Sequence, residues 1–436
     1  MAGYGWLEKK IAQALERFPH LRTAIKEPYK RLSYLLNRKA GFQYQLHPSV
    51  PMLTPEEWAG LETSDSPLFF GYYDKSPFSQ DMSRAVFHRT NGADDQVEII
   101  VLDQKEEVSH TLGSSRAWNW QQGSMAQWVP GRDNLIIHNC VRNGELGCRL
   151  VELPGGREVG YLNMPIQTLH PKKRMALSLN YRRLMRLRPD YGYPVEVDNF
   201  KPSIPLSDDG LWLLDLEKGE SRLVFSLAEL AARPGPGMAN ADHKVNHAIY
   251  SRGGARFVFM HRWLGPQGKF SRLYSAKDDG SDLTLLMESR LVSHYHWRDE
   301  DTLVVYGRDG EANHYYLLNA ANGGHTPLAP EKLDSFGDGH CSFSPDGQWI
   351  VSDTYPDKSR VQTLFLFKPD TGDLEIVGGF LAPPTFNGPE RCDLHPRFSP
   401  DGRWLSIDSS HTGRRGSYFL YIGDIVCGDA GKQEPL

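Results

Sequence analysis

Short runs of alternating apolar and polar residues, separated by turns rich in Ser, Pro, Asp and Gly, recur along most of the chain. Two of these segments are nearly superimposable: residues 340–353 read HCSFSPDGQWIVSD and residues 395–408 read HPRFSPDGRWLSID. Each combines a short strand, a Ser-Pro-Asp-Gly turn and a second strand, which is the pattern of an antiparallel hairpin. The pattern therefore predicts a repeated β-hairpin unit.

Five more divergent copies of the hairpin precede these two, beginning at Lys75, Met125, Ile166, His247 and His294. Successive copies are 41 to 55 residues apart, except for one interval of 81 that contains an insertion at 180–207. Further strand candidates, such as LWLLDLE and TLFLFKP, lie between the hairpins. A four-stranded repeat of this length is typical of propellers. We therefore predict an all-β, seven-bladed β-propeller over residues 61–436; the pattern does not determine which chain end closes the ring.

A basic helical pattern precedes the repeats. Residues 1–40 hold nine Lys/Arg and three Glu, although the whole chain has a net charge of −5. The apolar spacing predicts two amphipathic helices broken near Pro28, within a helical extension over residues 1–60. The extension is expected either to cap the propeller or to dock, through residues 1–40, on an anionic membrane surface or a partner protein. The acidic remainder argues against a nucleic-acid partner.

The composition is that of an ordinary globular protein, with 39% hydrophobic and 24% charged residues. No run of eighteen apolar residues and no secretory signal pattern is found, so a cytoplasmic protein is expected. The five cysteines form no CxxC pair, which favours free thiols over disulfides or structural zinc. Sequence motifs of serine hydrolases, phosphate-binding loops, dinucleotide-binding folds and HExxH metalloproteases are absent.

Four of the hairpins begin with a histidine. The first strand of a propeller blade is normally the innermost, so its first residue lies near the mouth of the central channel. We therefore expect these histidines to cluster at that mouth: His247, His294, His340 and His395. Polar residues at the ends of the second strands, Arg262 among them, should join them unless they only satisfy backbone groups or face solvent.

Clustered imidazoles suit metal-assisted acid–base chemistry. Three of them can hold a divalent metal with positions left open for a ligand, and a further histidine with a pKa near neutrality can abstract a proton. A metal or an arginine that neutralises a carboxylate also makes the neighbouring C–H group more acidic. This combination points to β-elimination on a uronic-acid sugar.

Two other segments carry residues that suit an anionic sugar. The insertion contains Arg188 and Tyr191, which can pair with a carboxylate and stack on a sugar ring, and Tyr181, a candidate proton donor; a solvated basic loop is the alternative. The stretch before the second hairpin offers aromatic rings and amides as a sugar platform, with core packing of the tryptophans equally possible. Its residues are Trp118, Asn119, Trp120, Gln121 and Gln122.

The hairpins resemble the TolB-type propeller repeat, and the histidines that begin successive blades are similar to those of the oligogalacturonate lyase family. Members of that family are seven-bladed propellers that cleave uronic-acid oligosaccharides by β-elimination with bound manganese. The resemblance covers approximately residues 65–428 and is specific at the blade starts. It implies His247, in the stretch His-Ala-Ile-Tyr-Ser-Arg, as the base, and three metal ligands: His294, His340 and His395.

The leading hypothesis is a polysaccharide lyase-like enzyme that cleaves a uronic-acid-containing oligosaccharide. Arg262 and Arg188 would neutralise the carboxylate; manganese is suggested by the resemblance, and zinc is possible. A non-catalytic propeller that binds glycan or protein and docks on a membrane-bound assembly is the second hypothesis, and another glycan-processing enzyme is the third. The identity of the glycan, its linkage and the oligomeric state do not follow from the sequence.

Overall fold

The computed structural model describes residues 19–90, 95–201 and 203–427. Within these ranges the chain forms seven antiparallel sheets that follow one another in sequence order, which confirms the predicted seven-bladed β-propeller. All seven predicted hairpins lie at the start of a blade. The first strands of blades 3 and 4, of blades 5 and 6, and of blades 6 and 7 contact one another.

Each blade is a meander whose strands pair in chain order. The strands of blades 1 and 2 are Leu68–Phe69, Arg84–Arg89, Val97–Asp103 and Val108–Ser115, then Gln127–Val129, Arg132–Arg142, Glu145–Glu152 and Arg157–Leu162. Those of blades 3 and 4 are Thr168–Leu169, Met175–Leu179, Gly210–Asp215 and Glu220–Ser226, then Asp242–Tyr250, Arg256–Gly265, Gly268–Lys277 and Thr284–Ser289. The strands of blade 5 are Val292–Trp297, Thr302–Asp309, Ala312–Asn319 and His325–Pro327. Those of blade 6 are Ser342–Phe343, Ile350–Asp353, Val361–Lys368 and Asp373–Leu381. Those of blade 7 are Arg397–Phe398, Trp404–Ser409 and Gly416–Tyr421.

Two short N-terminal strands complete the last two blades. Met52–Leu53 pairs with Gly416–Tyr421 as the fourth strand of blade 7, and Tyr44–Leu46 pairs with Asp373–Leu381 as a fifth strand of blade 6. The N-terminal side of the chain therefore closes the ring. Both strands lie in the segment for which the sequence predicts a helical extension. They could not be predicted, because strands of two and three residues are too short to give a periodic signal.

The longest described helix is Pro19–Asn37, and the predicted break near Pro28 is wrong because Pro28 lies inside this helix. A proline removes one backbone hydrogen bond, and the helix continues on both sides of it. Residues 1–18, where most of the first predicted helix falls, lie outside the described residues. The shorter helices are Pro55–Trp58, Tyr181–Leu187, Leu227–Ala232, Pro330–Leu333 and Gly423–Val426, with 3-10 turns at Pro189–Tyr191 and Gly388–Glu390.

None of the helices in the described ranges is both long and apolar enough to cross a bilayer. The five cysteines are free thiols, as expected. The cytoplasmic location stays a prediction.

The Ser-Pro-Asp-Gly turn has a local explanation in blade 6. The Ser344 hydroxyl donates to Asp346 at 2.5 Å and accepts the backbone N–H of Trp349 at 2.9 Å. Gly347 has a φ of 72°, a conformation that a residue with a Cβ rarely adopts. Side chain and backbone together fix a tight turn at the end of the blade opposite the histidines, and blade 7 repeats it.

Candidate metal and acid–base site at the channel mouth

The loop that follows the first strand of blade 1 crosses the channel mouth and carries Tyr72, Tyr73 and Asp74. The ring of Tyr73 lies 5.3, 5.6, 5.5 and 6.4 Å, between ring centres, from His247, His294, His340 and His395 respectively. The predicted clustering of the four histidines is therefore found, and it is built around a tyrosine pair that the hairpin pattern does not indicate.

His340 and His395 form the centre of this cluster, with ring centres 4.3 Å apart. His340 donates its Nδ1 hydrogen to Asp353 at 2.9 Å, and His395 donates its Nδ1 hydrogen to the carbonyl of Gly71 at 2.8 Å. Both Nε2 atoms are buried and have no hydrogen-bond partner within the described part of the chain. A proton held on Nδ1 leaves the lone pair on Nε2, which is the form that binds metals.

Asp393 completes a compact group with these two histidines. One potential ligand atom from each of the three residues lies within 4.8 Å of the others, and all three side chains are buried. Arg391 donates its Nε hydrogen to Asp393 at 2.7 Å, and although burial alone would raise the pKa of Asp393, the positive charge of Arg391 lowers it. The carboxylate is therefore ionised, as a metal ligand must be.

The donor set fits a divalent metal. Two imidazoles and a carboxylate are ligands that manganese and zinc both accept, and the unpartnered buried Nε2 atoms are otherwise unexplained. His294, also implied as a ligand, lies next to this group: its ring centre is 4.2 Å from that of His340, and its Nδ1 hydrogen is donated to Asp338 at 2.9 Å.

His247 lies beside the metal-ligand candidates. Its Nε2 is 3.6 Å from the Asp74 carboxylate, whose other neighbour is the ammonium of Lys75 at 2.8 Å. The ring stacks on Tyr295 with centres 4.5 Å apart. The backbone of His247 has a φ of 51°, an uncommon conformation for a non-glycine residue that is concentrated at functional sites.

Burial controls the protonation of these histidines. It lowers the pKa of His294 to about 4, and it lowers the pKa of His395 well below the ordinary value. It also lowers the pKa of His247, against the opposing effect of Asp74. At His340 burial is outweighed by the Asp353 carboxylate, so its pKa is raised.

The insertion contributes two of its predicted residues to the mouth. Tyr191 contacts Tyr72 edge-on, with ring centres 5.6 Å apart, and the guanidinium of Arg188 lies 4.9 Å from the centre of the Tyr191 ring. Asp190 accepts hydrogen bonds from Arg188 at 3.3 Å and from Arg391 at 2.5 Å. Through Arg391, the insertion is connected to the carboxylate of the candidate metal group.

Tyr181 is not on this surface. Its side chain is fully buried, its ring stacks on Tyr193 with centres 4.3 Å apart, and its hydroxyl lies 2.9 Å from both the Ile166 carbonyl and the Gln167 side-chain oxygen. The described contacts of Tyr181 are those of a core residue. Tyr72, by contrast, lies at the mouth, where its ring centre is 5.0 Å from that of His247 and 5.0 Å from that of His395.

The predicted sugar platform divides into a buried part and a half-buried part. The Asn119 side chain accepts the backbone N–H groups of Gln121 and Gln122, and all three residues are buried, so these amides shape the loop. Trp118 and Trp120 are half-buried and lie edge to face at 4.9 Å. The Gln121 side chain donates to the carbonyl of Arg391 at 2.7 Å, which connects the platform to the candidate metal site.

Arg262 lies on blade 4 and is also part of the mouth, with 9% of its surface exposed. It donates to the carbonyl of Val292 at 2.8 Å, while its Nε has no partner among the described residues. Sequence reasoning missed several site residues, namely Tyr72, Tyr73, Asp74, Asp338 and Asp393, whereas Asp353 is one of the polar residues predicted at the ends of the second strands. Only Asp393, two residues before His395, carried a usable local signal.

No protein-family model and no curated protein matches this chain. Several solved structures do match this chain. An oligogalacturonate lyase in complex with manganese aligns with 87% of this chain and 96% of its own, at 16% identity and a TM-score of 0.58. The oligogalacturonate lyase of Vibrio parahaemolyticus aligns with 89% of this chain and 98% of its own, at 13% identity and a TM-score of 0.56. The chain therefore shares the seven-bladed propeller fold of these lyases.

Proposed function

We propose that this protein is a lyase that cleaves a uronic-acid-containing oligosaccharide by metal-assisted β-elimination. The observation that carries the proposal is the pair of unpartnered, buried Nε2 atoms on His340 and His395, next to Asp393 and beside His247. The two similar solved structures are oligogalacturonate lyases, and one of them is a manganese complex. This similarity also supports the proposal of metal-assisted β-elimination.

His340, His395 and Asp393 would hold the metal, with His294 as a neighbouring ligand. When bound, a divalent ion such as manganese supplies Lewis-acid stabilisation to a substrate carboxylate that gains negative charge. Arg262 and Arg188 are proposed to neutralise carboxylate charge; the Arg188 guanidinium lies 4.9 Å from the centre of the Tyr191 ring, which contacts Tyr72.

His247 is proposed as the base. The Asp74 carboxylate facing Nε2 favours the tautomer with its proton there, which leaves Nδ1 with the lone pair. Nδ1 takes the proton α to the substrate carboxylate, and the electron pair of that C–H bond forms a carbon–carbon double bond. The bond from the β carbon to the leaving sugar oxygen then breaks.

The leaving oxygen needs a proton, and we assign its delivery to Tyr72. Burial raises the pKa of Tyr72 well above its ordinary value, so its hydroxyl stays protonated, and the ring contacts both His247 and His395. The products are an unsaturated uronate and a sugar with a free hydroxyl. Trp118, Trp120 and Tyr191 would contact further sugar rings.

Elemental analysis of protein purified without a histidine tag tests the metal part of the proposal. Wild type is compared with His340→Ala and with His314→Ala, a control histidine that is hydrogen-bonded to Asp334 in blade 5. We expect about one equivalent of metal in the wild type and the control, and none in folded His340→Ala. Absence of metal after reconstitution with manganese and with zinc would refute metal assistance.

The reaction is tested by incubating metal-loaded protein with oligogalacturonate and with other uronic-acid oligosaccharides. We expect ultraviolet absorbance from an unsaturated uronate, and its loss in His247→Asn with metal content unchanged. A metal-loaded, folded protein that produces no unsaturated product from any uronic-acid oligosaccharide, yet binds them, would favour the non-catalytic propeller instead.

A further inference from the structure

The guanidinium of Arg391 bridges two carboxylates from distant parts of the chain. Its Nε hydrogen is donated to Asp393 at 2.7 Å, and its Nη1 group donates to Asp190 at 2.5 Å. Asp393 belongs to the candidate metal group, whereas Asp190 belongs to the insertion. Because the donors of a guanidinium lie in one plane, the position of one carboxylate constrains the position of the other.

The remaining nitrogen of Arg391 contacts an aromatic residue of the insertion. Its Nη2 group donates to the hydroxyl of Tyr191 at 3.3 Å. Tyr191 and Asp190 share one 3-10 turn, which contacts the turn Gly388–Glu390 directly before Arg391. Asp190 also accepts the Nε hydrogen of Arg188 at 3.3 Å. Arg391 and Asp190 therefore help to place Tyr191 and Arg188 at the channel mouth.

The backbone of Arg391 is held independently of its side chain. Its carbonyl accepts hydrogen bonds from the side chains of Gln121 and Arg415, at 2.7 Å in each case. The guanidinium of Arg415 in turn lies 4.7 Å from the centre of the Trp120 ring. Because the backbone is anchored from two sides, the side chain is the part of Arg391 that responds when the charge on either carboxylate changes.

The charge of Arg391 is shared between two carboxylates that are well shielded from solvent. The side chain of Asp393 is 3% exposed and that of Asp190 is 17% exposed, so their attraction for the guanidinium is only partly screened. When Asp393 ligates a divalent ion, less of its negative charge is available to Arg391, and the guanidinium is held more by Asp190 and Tyr191. Metal binding should therefore stabilise the insertion in its position at the mouth.

We propose that Arg391 is a positioning residue that couples metal binding at Asp393 to oligosaccharide binding at the insertion, so that each ligand strengthens the binding of the other. The inference rests on the proposed function for the identity of the two ligands. Coupling between two sites is reciprocal, so the same factor should appear in both affinities. Oligosaccharide on Tyr191 and Arg188 should thus strengthen metal binding, although neither residue belongs to the candidate metal group.

Titration of chelator-treated protein with manganese, with and without saturating digalacturonate, measures the coupling. All proteins carry His247→Asn, so that digalacturonate is bound and not cleaved. We expect digalacturonate to lower the Kd for manganese by a factor of about 10 to 100, and we expect this factor to be about fivefold smaller in Asp190→Asn. Glu196→Gln removes a different ion pair of the insertion, the one with Arg182, and as the matched control it should keep the full factor.

Asp190→Asn should also weaken manganese binding in the absence of sugar, because Arg391 then pairs with Asp393 alone and competes with the ion. A purely structural contact would instead lower the Tm of Asp190→Asn and leave its manganese affinity unchanged. Arg391→Lys is the second variant. Its single ammonium keeps a positive charge next to Asp393 but cannot bridge both carboxylates, so it too should reduce the coupling.

The outcomes separate this coupling from the lyase reaction. If manganese and digalacturonate both bind, and the coupling factor is the same in Asp190→Asn, Arg391→Lys and their parent protein, the role of Arg391 is overturned and the proposed function stands. Protein with His247 intact is assayed in parallel for unsaturated product. A coupling factor that depends on Asp190, without any unsaturated product, would refute the lyase reaction and leave the role of Arg391 standing. Absence of manganese binding in the parent protein would overturn both.

Discussion

Asp353 holds His340 by two hydrogen bonds, accepting its backbone N–H at 2.7 Å and its Nδ1 hydrogen at 2.9 Å. The other oxygen of the same carboxylate accepts the backbone N–H of His395 at 3.2 Å. One residue at the end of a second strand thus fixes the tautomer of one candidate ligand and the backbone of the other. Such carboxylate support is typical of metal-bound histidines.

Asp353→Asn is expected to weaken metal binding by about 10- to 100-fold, because the amide no longer stabilises the Nδ1-protonated imidazole. Titration of chelator-treated protein with manganese measures the effect. Asp346→Asn, in the turn at the opposite end of the same blade, is the matched control and should bind manganese like the wild type. Equal affinities in all three proteins would show that Asp353 does not support a metal site.

The sequence predicted the blades and the four histidines well because both depend on local repetition. The turn that fixes each hairpin is encoded within a few residues, and the register of the hairpin then determines where its first residue lies. His247 and His395 could be placed together in this way although 148 positions separate their numbers.

The remainder of the site depends on contacts between distant segments that leave no periodic signal. Tyr72 and Tyr73 lie on a loop between blade-1 strands, and nothing in their neighbourhood predicts that the loop crosses the channel mouth. Arg182, Arg183 and Arg186 are indistinguishable from Arg188 by composition, yet each is paired with a carboxylate outside the mouth. Only the folded path of the insertion separates them.

The lyase rate should depend on pH through His247. The base must be neutral, and burial lowers its pKa below the ordinary value of 6.5, so the rate should be level above pH 6.5 and decrease on the acidic side. Asp74 opposes this shift by stabilising the protonated ring. Asp74→Asn should therefore move the acidic limb to lower pH while reducing the maximal rate, since the tautomer is less well fixed.

The rate of formation of unsaturated product, measured across a pH series, gives the pH profiles of the wild type and of Asp74→Asn. The direction of the displacement is decisive: an acidic limb that moves to higher pH in Asp74→Asn would mean that Asp74 does not act on the base. His314→Ala, which removes a partly exposed histidine hydrogen-bonded to Asp334, should keep the wild-type profile.

Stability should fall in acid because histidines are buried in the neutral form. Burial, with the charge of Arg149, lowers the pKa of His138 to about 3, and burial lowers the pKa of His88 to about 4, whereas the unfolded chain titrates near 6.5. Below pH 6.5 these histidines therefore bind protons in the unfolded state but not in the folded state. Each such histidine should lower the free energy of unfolding by about 1.4 kcal/mol per pH unit down to about its folded pKa.

Urea unfolding across this window measures the slope. His138→Gln is expected to be less stable at neutral pH, because the hydrogen bond from Arg149 is lost, but its stability should decline less steeply with acid than that of the wild type. An identical slope would show that His138 is not protonated on unfolding.

Closure by the N-terminal strands predicts two different truncation phenotypes. Removal of residues 1–40 leaves Tyr44–Leu46 and Met52–Leu53 paired with blades 6 and 7, so the Tm should change little. Removal of residues 1–54 exposes the outer edges of both blades and should lower the Tm strongly or cause aggregation. Equal Tm values for the two truncated proteins would contradict a closing role for these strands.

The helix Pro19–Asn37 presents an apolar strip beside basic side chains. Leu32, Leu35 and Leu36 are 58%, 60% and 76% exposed and lie on one side of the helix, while Arg31 and Arg38 are exposed nearby. Apolar residues flanked by arginine match the chemistry of an anionic lipid surface, which we propose as the docking partner of this helix.

Cosedimentation with vesicles tests this docking. Wild type should bind phosphatidylglycerol vesicles more strongly than phosphatidylcholine vesicles, and added salt should weaken the binding because the attraction is partly electrostatic. The triple variant Leu32→Ser, Leu35→Ser, Leu36→Ser should lose binding without loss of Tm, because these side chains contribute little to the core. Leu264→Ser is the matched control, since Leu264 is also 58% exposed but lies on blade 4. Equal binding by the triple variant and the control would place any membrane contact elsewhere on the protein.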